Sequence, residues 1–212
     1  MSNELKSFFE NELKEHLASQ LSSYKNITVI KNEIKIKKTK GNSAHASIGL
    51  DYIANARGYI LSMSVSSPEF QQFVIDVSPP YRSNLLTEYA LALTSSGEKT
   101  KTFSPSTGGA VSLPLNPEKL KETILWITEK ITSIYLPRAM NLIHFSEELI
   151  SDVINAPDDY SHPFLLILYT TKKRGIAVNQ LNEDIIFSKK ISKNINFDKS
   201  VLLQHIANKK DG

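Results

Sequence analysis

The sequence predicts an α+β fold: an N-terminal amphipathic helix, an antiparallel β-meander of five to seven strands, then a helical pair and a mixed C-terminal segment. Three observations lead there. Apolar residues recur at spacings of three and four from Leu5 to Tyr24; they alternate with polar residues from Ile27 onward; and helical spacing returns after Pro117.

The first element is the plainest. Ser2 or Asn3 supplies a capping side chain and Glu4 an acid for the first turn. Leu5, Phe8, Phe9, Leu13, Leu17, Leu21 and Tyr24 then form one apolar stripe, with Glu10, Glu12 and Lys14 opposite. From Ile27 the period changes to two. Ile27 and Val29, then Ile34 and Ile36, flank a turn at Lys31-Asn32-Glu33 and read as a hairpin. Ala46 to Ala54 and Gly58 to Ser66 form a second pair, joined at Asn55-Ala56-Arg57-Gly58, where Asn and Gly tolerate positive φ. Phe70 to Val77 is a shorter apolar stretch of the same meander, stopped by Pro79-Pro80. Leu86 to Thr94 and Lys99 to Phe103 flank Ser95-Ser96-Gly97-Glu98 as a third hairpin, with a helix over Arg82 to Leu93 as the alternative.

Ser104 to Leu115 holds two prolines and two glycines and reads as a loop. Asn116-Pro117-Glu118 opens a helix: a capping side chain, a proline where the missing N–H is not needed, and an acid in the first turn. Leu120, Ile124, Ile127, Ile131 and Ile134 make its seam, and Pro137 ends or kinks it. A second amphipathic pattern runs from Leu142 to Ile154. Phe164 to Thr171 is read as a strand from its length and its β-branched and aromatic residues, followed by a turn at Lys172-Lys173-Arg174-Gly175 into Ile176 to Val178. Ile185 to Ile195 is a further strand, and Asp198 caps a last helix through Val201, Leu202, His205 and Ile206. The expectation is a single α+β domain over 1–212, with a possible subdivision into 1–104 and 116–212.

Composition narrows the chemistry. The 212 residues include no cysteine, which excludes disulfides, thiol nucleophiles and sulfur-ligated zinc. The longest uninterrupted apolar run, Phe164 to Tyr169, is far short of the roughly 20 residues of a membrane helix. The first residues carry an acid and lack an apolar signal core, so a cytoplasmic protein with no membrane partner is expected. Lysine, isoleucine and asparagine abound, as in a bacterial gene of low G+C content.

Net charge is +3, but it is segregated. Lys25 to Lys40 carries six lysines against Glu33, Arg138 to Tyr160 carries five acids against one arginine, and Lys189 to Gly212 is again basic. Only four of the 25 basic residues are arginines, the side chain that forks onto phosphate and stacks on bases. Nucleic acid is therefore open as a partner but not favoured.

The familiar catalytic patterns are weak or missing. His16, His45, His144, His162 and His205 each stand alone in their segments, so neither a metal site nor a cofactor is expected. No Gly-x-Ser-x-Gly elbow occurs. Ser43 with His45 lacks an orienting acid in sequence, and Ser96-Gly97-Glu98-Lys99 falls on a hairpin tip. Ser106-Thr107-Gly108-Gly109-Ala110 lacks the Lys-Ser/Thr ending of a phosphate loop. Glu33-Ile34-Lys35 has the local form of a nuclease strand but no acid on an upstream strand.

What remains points to contact with another macromolecule. Lys31, Lys35, Lys37, Lys38 and Lys40 are candidates for an anion-facing strip, against the alternative of an edge strand that uses lysine to discourage pairing. Trp126 lies off the helical seam, and Glu147, Glu148 and Asp152 form an acidic docking candidate, against a solvated helix face. The function expected is non-catalytic binding of another protein, of the immunity-protein, antitoxin or specialised-chaperone type, with a homodimer open as well. The alternatives are a hydrolase or nuclease with a dispersed site around Asp51, Asp76 and His45, or a nucleic-acid-associated protein using the lysine-rich strand.

Overall fold

A computed structural model describes residues 2–38, 41–86, 88–95 and 110–208. The architecture is α+β, as the sequence predicts. The chain forms two compact units, one made of Met1–Ser64 with Ala92–Ala139, the other of Val65–Leu91 with Met140–Gly212.

The first unit opens with helix α1 (Ser2–Gln20), whose Phe9, Leu13 and Leu17 are buried, as is Leu21 just beyond it, while Phe8 and Tyr24 at the stripe's margins stay exposed. Strands β1 (Ile27–Ile30) and β2 (Glu33–Ile36) pair antiparallel across a two-residue turn in which Lys31 takes the left-handed conformation. β3 (His45–Ile53) pairs with β2 and leads into β4 (Gly58–Ser66). The turn between them places Arg57, not Asn55 or Gly58, at positive φ. The sheet runs β1-β2-β3-β4-β5, with β5 at Leu91–Thr94, and the short β6 (Val111–Ser112) pairs with β4. Ile34 and Ile36, Ala46, Ile48 and Leu50, and Tyr59, Leu61 and Met63 are all buried, while their strand neighbours, Gly58 apart, are exposed or half-buried. That is the period-two pattern of a sheet with one covered face.

Helix α1 packs on β1 and on α3 (Pro117–Lys130), which buries Leu120, Ile124 and Ile127. Asn116 caps α3 as predicted, accepting from the Lys119 amide at 2.9 Å. Glu10 of α1 ties the helix to the sheet: its Oε1 accepts from Asn32 at 2.9 Å and from the Tyr59 hydroxyl at 3.0 Å. Burial, together with that carboxylate, pushes the Tyr59 phenol far up.

Pro137 does not end the helix that α3 begins. A five-residue wider turn, Ile131–Tyr135, passes directly into α4 (Leu136–His144). The proline lacks the N–H that would reach the Ser133 carbonyl, and the widened turn just before it accommodates the ring.

In the second unit six expectations are corrected. Phe70 to Val77 is not a strand but lies in helix α2 (Pro68–Val77), capped by Ser67, with proline at its first position and Ser78 left-handed at its end. Phe164 to Thr171 is not a strand either: it is the body of helix α6 (Pro163–Arg174), buried from Pro163 to Thr171 and closed by left-handed Gly175. α6 packs on α2, α5 (Glu148–Asn155) and α8 (Ile195–Asn208), so it carries no polar face. Its Thr170 and Thr171 hydroxyls return to the Leu166 and Ile167 carbonyls, each at 2.8 Å, and so are satisfied inside the core.

Third, Leu142 to Ile154 is not one helix. Left-handed Phe145 breaks it, and Arg174 donates to the exposed carbonyls of His144 and Phe145. Fourth, Ile185 to Ile195 is not a strand; it holds the end of the short helix α7 (Glu183–Ile186) and a series of turns. Ile176 to Val178 likewise forms no strand. Asn194, rather than Asp198, caps α8 by accepting from the Phe197 amide at 3.1 Å. Asp198 is buried instead, accepting the Tyr81 hydroxyl at 2.7 Å and the Ser192 hydroxyl at 2.6 Å. Of the third predicted hairpin only Leu91–Thr94 is a strand, and residues 96–109 lie outside the described residues.

Candidate partner-binding site

The lysine-rich hairpin stands at the open end of the sheet. Among the described residues no strand pairs with the outer edge of β1. A two-residue turn makes Ile30 and Glu33 a hydrogen-bonded pair, and alternation makes Thr28 and Lys35 the next. The Lys37 amide, donating to the Asn26 carbonyl at 2.9 Å, continues the same alternation. Ile27 and Val29 therefore turn their backbone groups outward. The Ile27 amide is satisfied by the Tyr24 carbonyl at 3.2 Å, which leaves the Val29 N–H and C=O facing out with no partner among the described residues.

Cations bracket that open position. Lys25 precedes β1 and Lys31 follows it, both exposed, and Lys37 and Lys38 lie exposed at the far end of the partner strand. Lys35 is different. Its ammonium is 3.2 Å from Glu33, whose other oxygen accepts the Ser47 hydroxyl at 2.6 Å. That hydroxyl first, and the Lys35 charge after it, hold the Glu33 carboxyl below its ordinary value. Lys35 is thus engaged with its own sheet face, and Lys40 lies outside the described residues.

The other candidates are placed elsewhere. Trp126 is half-buried on α3, with the Lys130 ammonium 5.7 Å from its ring centre. Glu147 and Glu148 are exposed at the start of α5, where negative charge favours the first turn. Asp152 is half-buried and accepts the Asn141 amide at 2.9 Å, so it braces the link between α4 and α5. The lysines and Trp126 belong to the first unit and these three acids to the second.

The dispersed-site residues do not converge. His45 and Asp51 lie on the same face of β3 but six residues apart, about 20 Å along an extended strand. Asp51 accepts the Ser62 hydroxyl at 2.8 Å, and Asp76, in the second unit, accepts from Gln72 of its own helix at 2.9 Å. The ring nitrogen of His45 nearest Ser43 lies 3.4 Å from that residue's backbone carbonyl. Opposite Glu33 on β3 stands Gly49, not an acid. Among the described residues no three acidic or histidine side chains gather as a metal site would require.

Reading along the chain finds the lysines but misses Val29, the residue whose backbone makes the edge usable. The signal was present: a two-residue turn at Lys31-Asn32 sets the parity of every bond in the hairpin. Comparison of the chain with protein-family models, with curated proteins and with solved structures finds no match. The class that the fold and site define is an α+β protein with an open basic sheet edge. Among the described residues no helix is long and apolar enough to cross a membrane.

Proposed function

We propose that this chain is a non-catalytic cytoplasmic binding protein that holds an acidic partner protein by adding one of the partner's extended segments to the outer edge of β1. The observation that carries the reading is the Val29 backbone, which faces out with no partner among the described residues, set between Lys25 and Lys31. Strand addition draws its affinity from main-chain hydrogen bonds and its selectivity from flanking side chains. Here the flanks are cationic. Two copies meeting edge to edge would oppose like charges, whereas an acidic strand gains at both ends. An immunity protein, an antitoxin or a chaperone that caps an exposed strand would work in this way.

The test uses two eight-residue peptides, one alternating valine with glutamate and one alternating valine with lysine. The acidic peptide is expected to bind, to slow amide exchange at Ile27–Ile30, and to weaken as salt rises. Val29→Pro removes the outward N–H without touching the bonds to β2, so it should abolish binding and leave the circular dichroism unchanged. Equal binding of the lysine peptide, or binding that survives Val29→Pro, overturns the proposal.

A further inference from the structure

The second unit contains a cleft of about 310 Å³, at the small end of the range that ligand sites occupy. One wall is α2, where Phe70, Gln71, Val74 and Ile75 line it. Ile75 is 67% exposed, a large apolar side chain standing at the mouth. Ser83, Tyr89, Ser161 and His162 complete the lining, with the Asn84 amide donating to the Ser161 carbonyl at 2.8 Å.

Three of these side chains, Ser83, Ser161 and His162, have hydrogen-bonding capacity that the described residues do not use. Ser161 is 95% buried and its backbone N–H is spent on the Ala90 carbonyl at 3.1 Å, yet its hydroxyl has no partner among the described residues. The His162 imidazole also has no hydrogen-bond partner there; the ring stands 6.1 Å from that of Tyr81, whose own hydroxyl is committed to Asp198. Ser83 accepts the Leu85 amide at 3.0 Å, which leaves its proton free to donate. Opening on the cleft without partners inside the fold, these groups can hydrogen-bond an entering ligand in place of water.

Charge selects what enters. Among the described residues no carboxylate lines the cleft. The Lys193 ammonium lies 3.4 Å from the Arg82 carbonyl, next to Ser83, and acts on His162, whose imidazole is held below its ordinary value by burial first and by this cation second.

We propose that the cleft binds a medium-chain monocarboxylate, its aliphatic body against Phe70, Val74 and Ile75 and its carboxylate accepting from Ser83, Ser161 and His162 beside Lys193. The volume equals about ten water-sized groups, which suits an acid of about eight to ten carbons. The site is separate from the β1 edge and does not depend on its role.

Titration calorimetry on the full chain with decanoate, decanol and decylammonium tests it. Decanoate is expected to bind saturably at one site, about tenfold or more tighter than decylammonium. Val74→Trp, which fills the cleft, and Ile75→Glu, which sets a like charge at its exposed mouth without disturbing the core, should each abolish decanoate binding. Ser161→Ala should weaken decanoate about tenfold and leave decanol unchanged. No saturable decanoate binding, equal affinity for decylammonium, or decanoate binding indifferent to Ile75→Glu overturns the proposal.

Discussion

The two units bury their apolar residues by opposite rules. In the first, β2, β3 and β4 hide every second side chain, and the alternate residues Lys35, Ser47 and Asp51 face outward. In the second, α6 hides nine consecutive residues, from Pro163 to Thr171, because helices stand on several sides of it. A sheet with one covered face writes its geometry into the sequence as alternation; a helix surrounded by others leaves a continuous apolar run, which a buried strand would also leave. The same contrast holds for acids. Glu33 sits on the open face and is held below its ordinary value, whereas burial raises Asp198 above it despite two hydroxyl donors.

The contrast can be broken most forcefully at α6. Leu166→Ala should destabilise by about 3 kcal/mol, because a fully enclosed helix cannot collapse into the space vacated; urea unfolding followed by circular dichroism reads the change. A loss below about 1 kcal/mol would mean that α6 is not surrounded.

Asp198→Ala should cost a similar amount, about 3 kcal/mol, since the Tyr81 and Ser192 hydroxyls both lose their acceptor inside the unit. Asp198→Asn separates charge from hydrogen bonding. A folded value raised above the unfolded one means that stability is fullest below the ordinary aspartate range and falls as pH rises through the raised value. The gain of Asp198→Asn relative to wild type should therefore grow as pH rises from the ordinary aspartate range toward neutrality. A difference that shrinks over that interval would contradict the raised value.

In the first unit the most sensitive backbone position is Gly58. A Cβ there would stand 2.6 Å from the Val111 carbonyl oxygen, where β4 and β6 run in contact. Gly58→Ala is expected to cost about 2 kcal/mol and to speed amide exchange at Val111 and Ser112. Unchanged exchange would show that the two strands yield without separating.

The smallest effect belongs to the open face. Ser47→Ala removes the hydroxyl that holds Glu33 low, and solvent screening limits the loss to about 1 kcal/mol. Its pH dependence has the opposite sign to that of Asp198. The contribution is present above the ordinary glutamate value and disappears as pH falls through the lowered one, so the urea midpoints of wild type and Ser47→Ala should converge as pH falls below the ordinary glutamate range.

Legibility followed the same division. The α1 stripe, the Lys31-Asn32 turn and the Asn116-Pro117-Glu118 helix start were all readable, because each is set by neighbours close in sequence. Ser67-Pro68-Glu69 carries the same start signal as Asn116-Pro117-Glu118, yet the apolar Phe70, Phe73, Val74 and Ile75 that follow it suggested a strand. At the candidate site the lysines were visible in the composition. The open edge was not, because whether β1 has an outer neighbour depends on strands distant in sequence.

By itself, the sequence determined the α+β class, the first helix, the antiparallel hairpins and the segregation of charge, since periodicity, capping and turn chemistry act within a few residues. Tertiary structure alone decided that Phe164 to Thr171 is helical, that Asp198 is buried rather than a cap, and that Ser161 and His162 face a cleft. The physical reason is that burial depends on what surrounds a residue, and those neighbours arrive from segments up to 117 positions away, as Tyr81 does at Asp198.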